Sequence, residues 1–208
     1  MFTSLVRTSY WFLPLAWLDP RKSVRLLAEE TGRSRYLLVI LACILGLGHG
    51  LEFASYVSQG WAKGLIVLVV GPAVGVMYVY GLGSLMHRRF VGSRGSANSI
   101  RAALVLVYMP VFWATGLRLI AQGISGGLEV SELSETQAGA RQFLGLLSAV
   151  LHLVSFWLGY VCVSEATGIT QEKLDKPATN RDLLIIFLVF MGFLVLANLA
   201  NWAGWLYR

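Results

Sequence analysis

Apolar residues along this chain come in long runs without the two-residue alternation of a half-buried strand. Five such runs stand out, at 36–56, 64–85, 102–120, 143–163 and 183–206. About 30 Å of hydrocarbon is crossed by about 20 helical residues at about 1.5 Å each, and every run is close to that length. Lipid offers no hydrogen-bonding partner to the backbone, so each run is predicted to be a helix. The pattern predicts an all-α membrane protein, a bundle of about five transmembrane helices over 36–208, with a short segment over 1–35 before it.

That first segment carries signals of its own. Asp19 is placed to cap a helix, Pro20 suits the first helical position, and Gly32 suits the stop. Between them Val24, Leu27, Ala28 and Thr31 share one face. The reading is an interfacial amphipathic helix lying on the inner leaflet, behind an aromatic anchor at 10–17. Residues 10–18 are apolar, but Pro14 interrupts them, and Asp19-Pro20-Arg21-Lys22 stands where a signal peptide would have a small-residue cleavage site. The expectation is that the N-terminus is retained.

Composition agrees with the pattern. Of 208 residues 56% are hydrophobic and 13% charged, and the mean hydropathy is +0.66, which excludes an ordinary soluble domain. Charge then sets orientation. Arg7, Arg21, Lys22, Arg25, Arg33 and Arg35 precede the first span; Arg88, Arg89, Arg94 and Arg101 lie in the second connection; Lys173, Lys176 and Arg181 lie in the fourth. The other side holds only Lys63, Arg118, Arg141 and Arg208. Positive residues favour the cytoplasmic side, so the N-terminus is expected inside and the C-terminus outside. Tyr56, Trp61, Trp202, Trp205 and Tyr207 fit an outer aromatic belt, with Trp17, Tyr36 and Tyr160 near the inner one.

The net charge of +6, gathered on the inner side, suits anionic headgroups at about 1 kcal/mol per basic residue near the surface. Trp17, Arg21, Lys22, Arg25, Arg88, Arg89, Arg94 and Arg101 are therefore candidate contacts to anionic inner-leaflet lipid or a partner. Nucleic acid is excluded as a partner, because no aromatic-interleaved basic patch or folded reader is present.

Inside the spans, Gly46 with Gly50 and Gly71 with Gly75 form small-xxx-small pairs that let helix backbones approach. Gly145, Ser148, His152, Ser155, Gly159 and Cys162 make one small and polar stripe on the fourth span. Pro72 and Pro110 each remove a backbone hydrogen bond and are expected to kink spans two and three. Residues 92–96 read as a glycine-rich turn with Ser96 capping the third span; the Lys-Ser/Thr ending of a phosphate-binding P-loop is missing.

His49, Glu52, Arg118, Ser148, His152, Asn198 and Asn201 are polar at similar estimated depth in the outer half of the membrane. An ionisable group there costs roughly 3 kcal/mol or more unless paired. A register-fixing network with Glu52 against Arg118 is the first reading, and a transport or ligand path the second. His49 and Glu52 have the i, i+3 spacing of a metal or general-base pair, but no companion ligand or nucleophile motif accompanies them. Cys43 and Cys162 both fall inside spans, outside any Cys-x-x-Cys pattern. No catalytic residue, metal site or cofactor is expected.

Three stretches together carry a family resemblance: Trp17-Leu18-Asp19-Pro20-Arg21-Lys22-Ser23-Val24-Arg25; Gly92-Ser93-Arg94-Gly95-Ser96 followed by Ile100-Arg101-Ala102-Ala103-Leu104; and Tyr108-Met109-Pro110. They resemble the Yip family of Ypt/Rab-interacting membrane proteins, in its bacterial branch. The resemblance implies five spans with a cytoplasmic N-terminus, in a bacterial cytoplasmic (inner) membrane. The expected function is non-enzymatic: binding a membrane-protein partner, forming a homo-oligomer, or organising lipid. The alternatives are a small transporter or channel component using the outer polar cluster, and a lipid-active enzyme using His49 and Glu52.

Overall fold

The computed structural model describes residues 11, 14–34, 36–56, 61–90, 96–125 and 132–167. The expected span at 183–206 lies outside them. Every element formed by the described residues is helical. Three helices, Lys63–Arg88, Ala97–Ile124 and Glu135–Thr167, are each long and apolar enough to cross a membrane, or up to four if the bent pair Pro20–Arg33 and Leu37–Leu51 counts as one span. The chain thus fits a multi-pass membrane protein.

The first helix, α1 (Pro20–Arg33), begins where the sequence predicts: the Asp19 carboxylate accepts a hydrogen bond from the Lys22 backbone N–H at 3.2 Å, with Pro20 in the first turn. It ends at Arg33, where the Ser34 N–H reaches the Glu30 carbonyl at 2.9 Å. Ser23, Val24, Leu27 and Thr31 are buried, while Arg21, Lys22, Arg25 and Glu29 are exposed. The buried face is turned against the two long helices Ala97–Ser125 and Glu135–Thr167. The face expected to lie on the inner leaflet is thus covered by helices of the bundle. Burying a leucine such as Leu27 is worth about 1.5–3 kcal/mol, and here neighbouring helices supply the cover.

The second helix, α2 (Leu37–Tyr56), lies against the second rod. That rod comprises α3 (Trp61–Leu65), α4 (Gly71–Val76) and α5 (Gly83–Phe90), separated by π-turns at Ile66–Val70 and Met77–Leu82. Pro72 accounts for the first of these. It has no N–H to give to the carbonyl four residues back, and the preceding Gly71 N–H bonds to Ile66, five residues back. The kink expected at Pro72 takes the form of a wider helical turn.

Two long helices complete the described bundle. Before α6 (Ala97–Ser125), the Ser96 hydroxyl accepts from the Ser99 N–H at 3.1 Å. Pro110 lies inside α6, which continues fifteen residues beyond it to Ser125. The α6 stretch Ala102–Val107 is buried throughout, making it the core of the bundle. At α7 (Glu135–Thr167), Ser134 and Gln137 form a reciprocal capping box: the Gln137 N–H bonds to the Ser134 hydroxyl at 3.3 Å and the Ser134 N–H to the Gln137 side-chain Oε1 at 3.1 Å. With 33 residues, α7 is about 50 Å long, well over the hydrocarbon thickness.

Candidate functional site

The glycine pairs meet across one seam. A Cβ on Gly46 would fall onto the Gly71 carbonyl, and one on Gly75 onto the Ala42 carbonyl. A Cβ on Gly50 would lie 3.0 Å from the Val67 Cα. Residue number falls along one helix as it rises along the other, so α2 and the second rod run antiparallel with their backbones in contact.

Serine hydroxyls join α6 to α7. Ser155 donates to the Val107 carbonyl at 2.7 Å, and Ser148 to the Ala114 carbonyl at 3.3 Å. These two levels make the helices antiparallel and set the start of α6 beside the end of α7. Ser148, Ser155 and Cys162 of the small-residue stripe are buried, whereas Gly145 is exposed.

The polar residues expected in the outer half divide along the bundle axis. The His49 ring lies tilted against Tyr108 with ring centroids 5.1 Å apart, and Tyr108 meets Tyr78 at 4.9 Å. Arg118, which reaches the Thr115 hydroxyl at 3.5 Å, is ten residues beyond Tyr108 on α6, about 15 Å along the axis. His152 Nδ1 is 2.7 Å from the Ser148 carbonyl of its own helix. The side chain of Glu52 and residues Asn198 and Asn201 lie outside the described residues, and so does the expected Glu52–Arg118 pair. The Tyr78 hydroxyl is buried and has no hydrogen-bond partner among the described residues.

The basic residues near the start of α6 and the end of α7 fall into three groups. Arg21, Lys22 and Arg88 are exposed. Arg25 is tied to Glu165, its Nε donating to Oε1 at 2.6 Å. That hydrogen bond, and then the negative charge of Glu165, raises the Arg25 pKa above its ordinary value. On the same helix, Glu30 accepts the Trp11 indole N–H at 3.2 Å. Trp17 is half-buried, with its indole nitrogen buried and unpartnered among the described residues.

Arg101 is drawn into the α5–α6 junction instead of standing free. Its guanidinium carbon is 4.6 Å from the centre of the Tyr80 ring, and its two terminal nitrogens reach Asn98 Oδ1 and Ser84 Oγ at 3.4 Å each. Gly83 makes room for it: a Cβ there would lie 2.9 Å from the Arg101 Cγ. The Arg101 Nε and the His87 Nδ1 are both buried without a partner among the described residues. The Arg89 side chain and Arg94 lie outside the described residues.

Chemically this arrangement packs helices through glycine and serine contacts and gathers exposed and half-buried cationic side chains. Among the described residues no group of three or more His, Cys, Asp or Glu could hold a metal ion. Cys43 and Cys162 are free thiols. Sequence reasoning missed Glu165, Ser84, Tyr78 and Tyr80. Glu165 was within reach of it, because a carboxylate at the basic end of a span invites an arginine partner; the others sit in apolar runs with no pattern to mark them. Comparison of the chain with protein-family models, with curated proteins and with solved structures returned no match.

Proposed function

We propose that this chain is a Yip-type, non-enzymatic membrane protein that presents its basic end to anionic lipid and to a membrane-protein partner. In this reading the α1 end faces the cytoplasm of a bacterial cell. The observation that carries it is the docking of α1. Its apolar face is packed on α6 and α7, and Arg25 is tied to Glu165, so Arg21 and Lys22 are held outward on a fixed platform. A fixed basic surface suits recognition, because the ordering cost is met within the fold and not at binding. The resemblance in residues 17–25, 92–96, 100–104 and 108–110 supports the family part of the reading. The chain purified from its native membrane in mild detergent is expected to carry a stoichiometric protein partner. Replacement of Arg21 and Lys22 by Gln should release that partner. A chain that purifies alone, with no loss on substitution, would count against the scaffold reading.

A further inference from the structure

We infer that the α5–α6 junction is a binding site for a phosphate group, with Arg101 as its principal ligand. The proposal rests on the reading of this end as the lipid-contacting one and gives that contact a place and a chemistry.

The first ground is charge. Between Glu52 and Glu129 the sequence contains no acidic residue, yet Arg88, Arg89, Arg94 and Arg101 all lie within that stretch. No carboxylate within that stretch can neutralise them. The described partners of Arg101 are all neutral: Asn98, Ser84 and the Tyr80 ring. Arg101 is half-buried with its Nε wholly covered, and burying part of a charged group is costly without a counter-charge.

The second ground is geometry. The two terminal nitrogens of Arg101 make contacts of 3.4 Å, beyond the usual range for such bonds. Its Nε makes none. One turn beyond Ser84 on α5, His87 holds a second buried nitrogen without a partner. Exposed Arg88 follows it. A guanidinium fork and a hydroxyl thus meet from two helices, with the His87 imidazole one turn from that hydroxyl on α5. The start of α6 adds the positive end of a helix dipole beside them. A phosphate oxygen would exchange the long neutral contacts for short charge-assisted ones.

The phosphate could belong to the headgroup of an anionic lipid or to a free phosphate ester, and the two are separable. The full chain in uncharged detergent is titrated with phosphatidylglycerol and, separately, with diacylglycerol, which has the same tails and no phosphate. Bound lipid is counted by native mass spectrometry. Phosphatidylglycerol should bind more tightly than diacylglycerol. Arg101→Gln should weaken phosphatidylglycerol about tenfold, the loss of one charge-assisted hydrogen bond, and leave diacylglycerol unchanged. His87→Phe, which keeps an apolar ring, should weaken it by less, and Arg141→Gln, near the start of α7 at the other end of the bundle, should have no effect. If millimolar inorganic phosphate displaces the lipid, the site takes the free ion as well; if it does not, the headgroup is the ligand. Phosphatidylglycerol bound equally by the native chain, Arg101→Gln and His87→Phe would overturn the site. Should Arg101→Gln not fold, His87→Phe decides alone, since equal binding by that variant overturns the site. Either failure leaves partner capture by Arg21 and Lys22, the separate readout of the broader reading, untouched.

Discussion

A methyl group is the smallest side chain a glycine can acquire, and at Gly75 it has nowhere to go. It would land on the Ala42 carbonyl of the neighbouring helix, and backbone cannot swing aside as a flexible side chain can. Gly75→Ala should therefore destabilise the bundle by about 1–3 kcal/mol, the usual cost of overpacking. Gly116, inside α6, has nothing within 4 Å of its missing Cβ. Gly116→Ala should be neutral or stabilise by up to about 1 kcal/mol through helix propensity. Unfolding of both variants in mixed micelles checks the contrast, and equal effects would show the seam to be looser than described. The seam was legible, because small-xxx-small spacing names its own purpose. The Arg101 niche was not. Tyr80, Ser84 and Asn98 are ordinary residues until two helices bring them to one guanidinium.

At the scale of the element, α1 is held by its apolar face more than by its charges. Limited proteolysis separates the two contributions. Leu27→Asp should undock the helix and open the chain to cleavage around Gly32, because Leu27 is wholly buried and a carboxylate there would need water. Replacing Arg21, Lys22 and Arg25 together by Gln should leave that region protected, since Val24, Leu27 and Thr31 still hold it. Greater cleavage in the triple variant than in Leu27→Asp would reverse the ranking. The sequence displays the start, length and amphipathic face of this helix. It is silent on what the face meets, because a lipid tail and a neighbouring helix are equally apolar and give one periodicity. The Arg25–Glu165 pair spans 140 residues, beyond any local pattern.

For the whole molecule, hydropathy placed the second, third and fourth spans well and their ends less well, while the fifth lies outside the described residues. The window around 143–163 reports the part of α7 that suits lipid, while the helix itself begins at Glu135 because Ser134 and Gln137 cap it there. Orientation rests on the uneven basic residues and is open to direct measurement. In a variant lacking Cys43 and Cys162, a single cysteine at Glu132 should react with a membrane-impermeant reagent in intact cells. One at Ser93 should react only after permeabilisation. The opposite result would turn the whole bundle over and put the Arg101 niche outside the cell.

The glycine seam bears on how the protein is made. Glycine leaves peptide groups bare, and bare peptide is poorly tolerated by hydrocarbon. Across the seam the two backbones cover each other, so α2 and the second rod are each a better membrane solute beside the other than alone. They are neighbours in the chain as well as in space. During synthesis the pair can therefore enter the bilayer as one preassembled hairpin, a template against which later spans are laid.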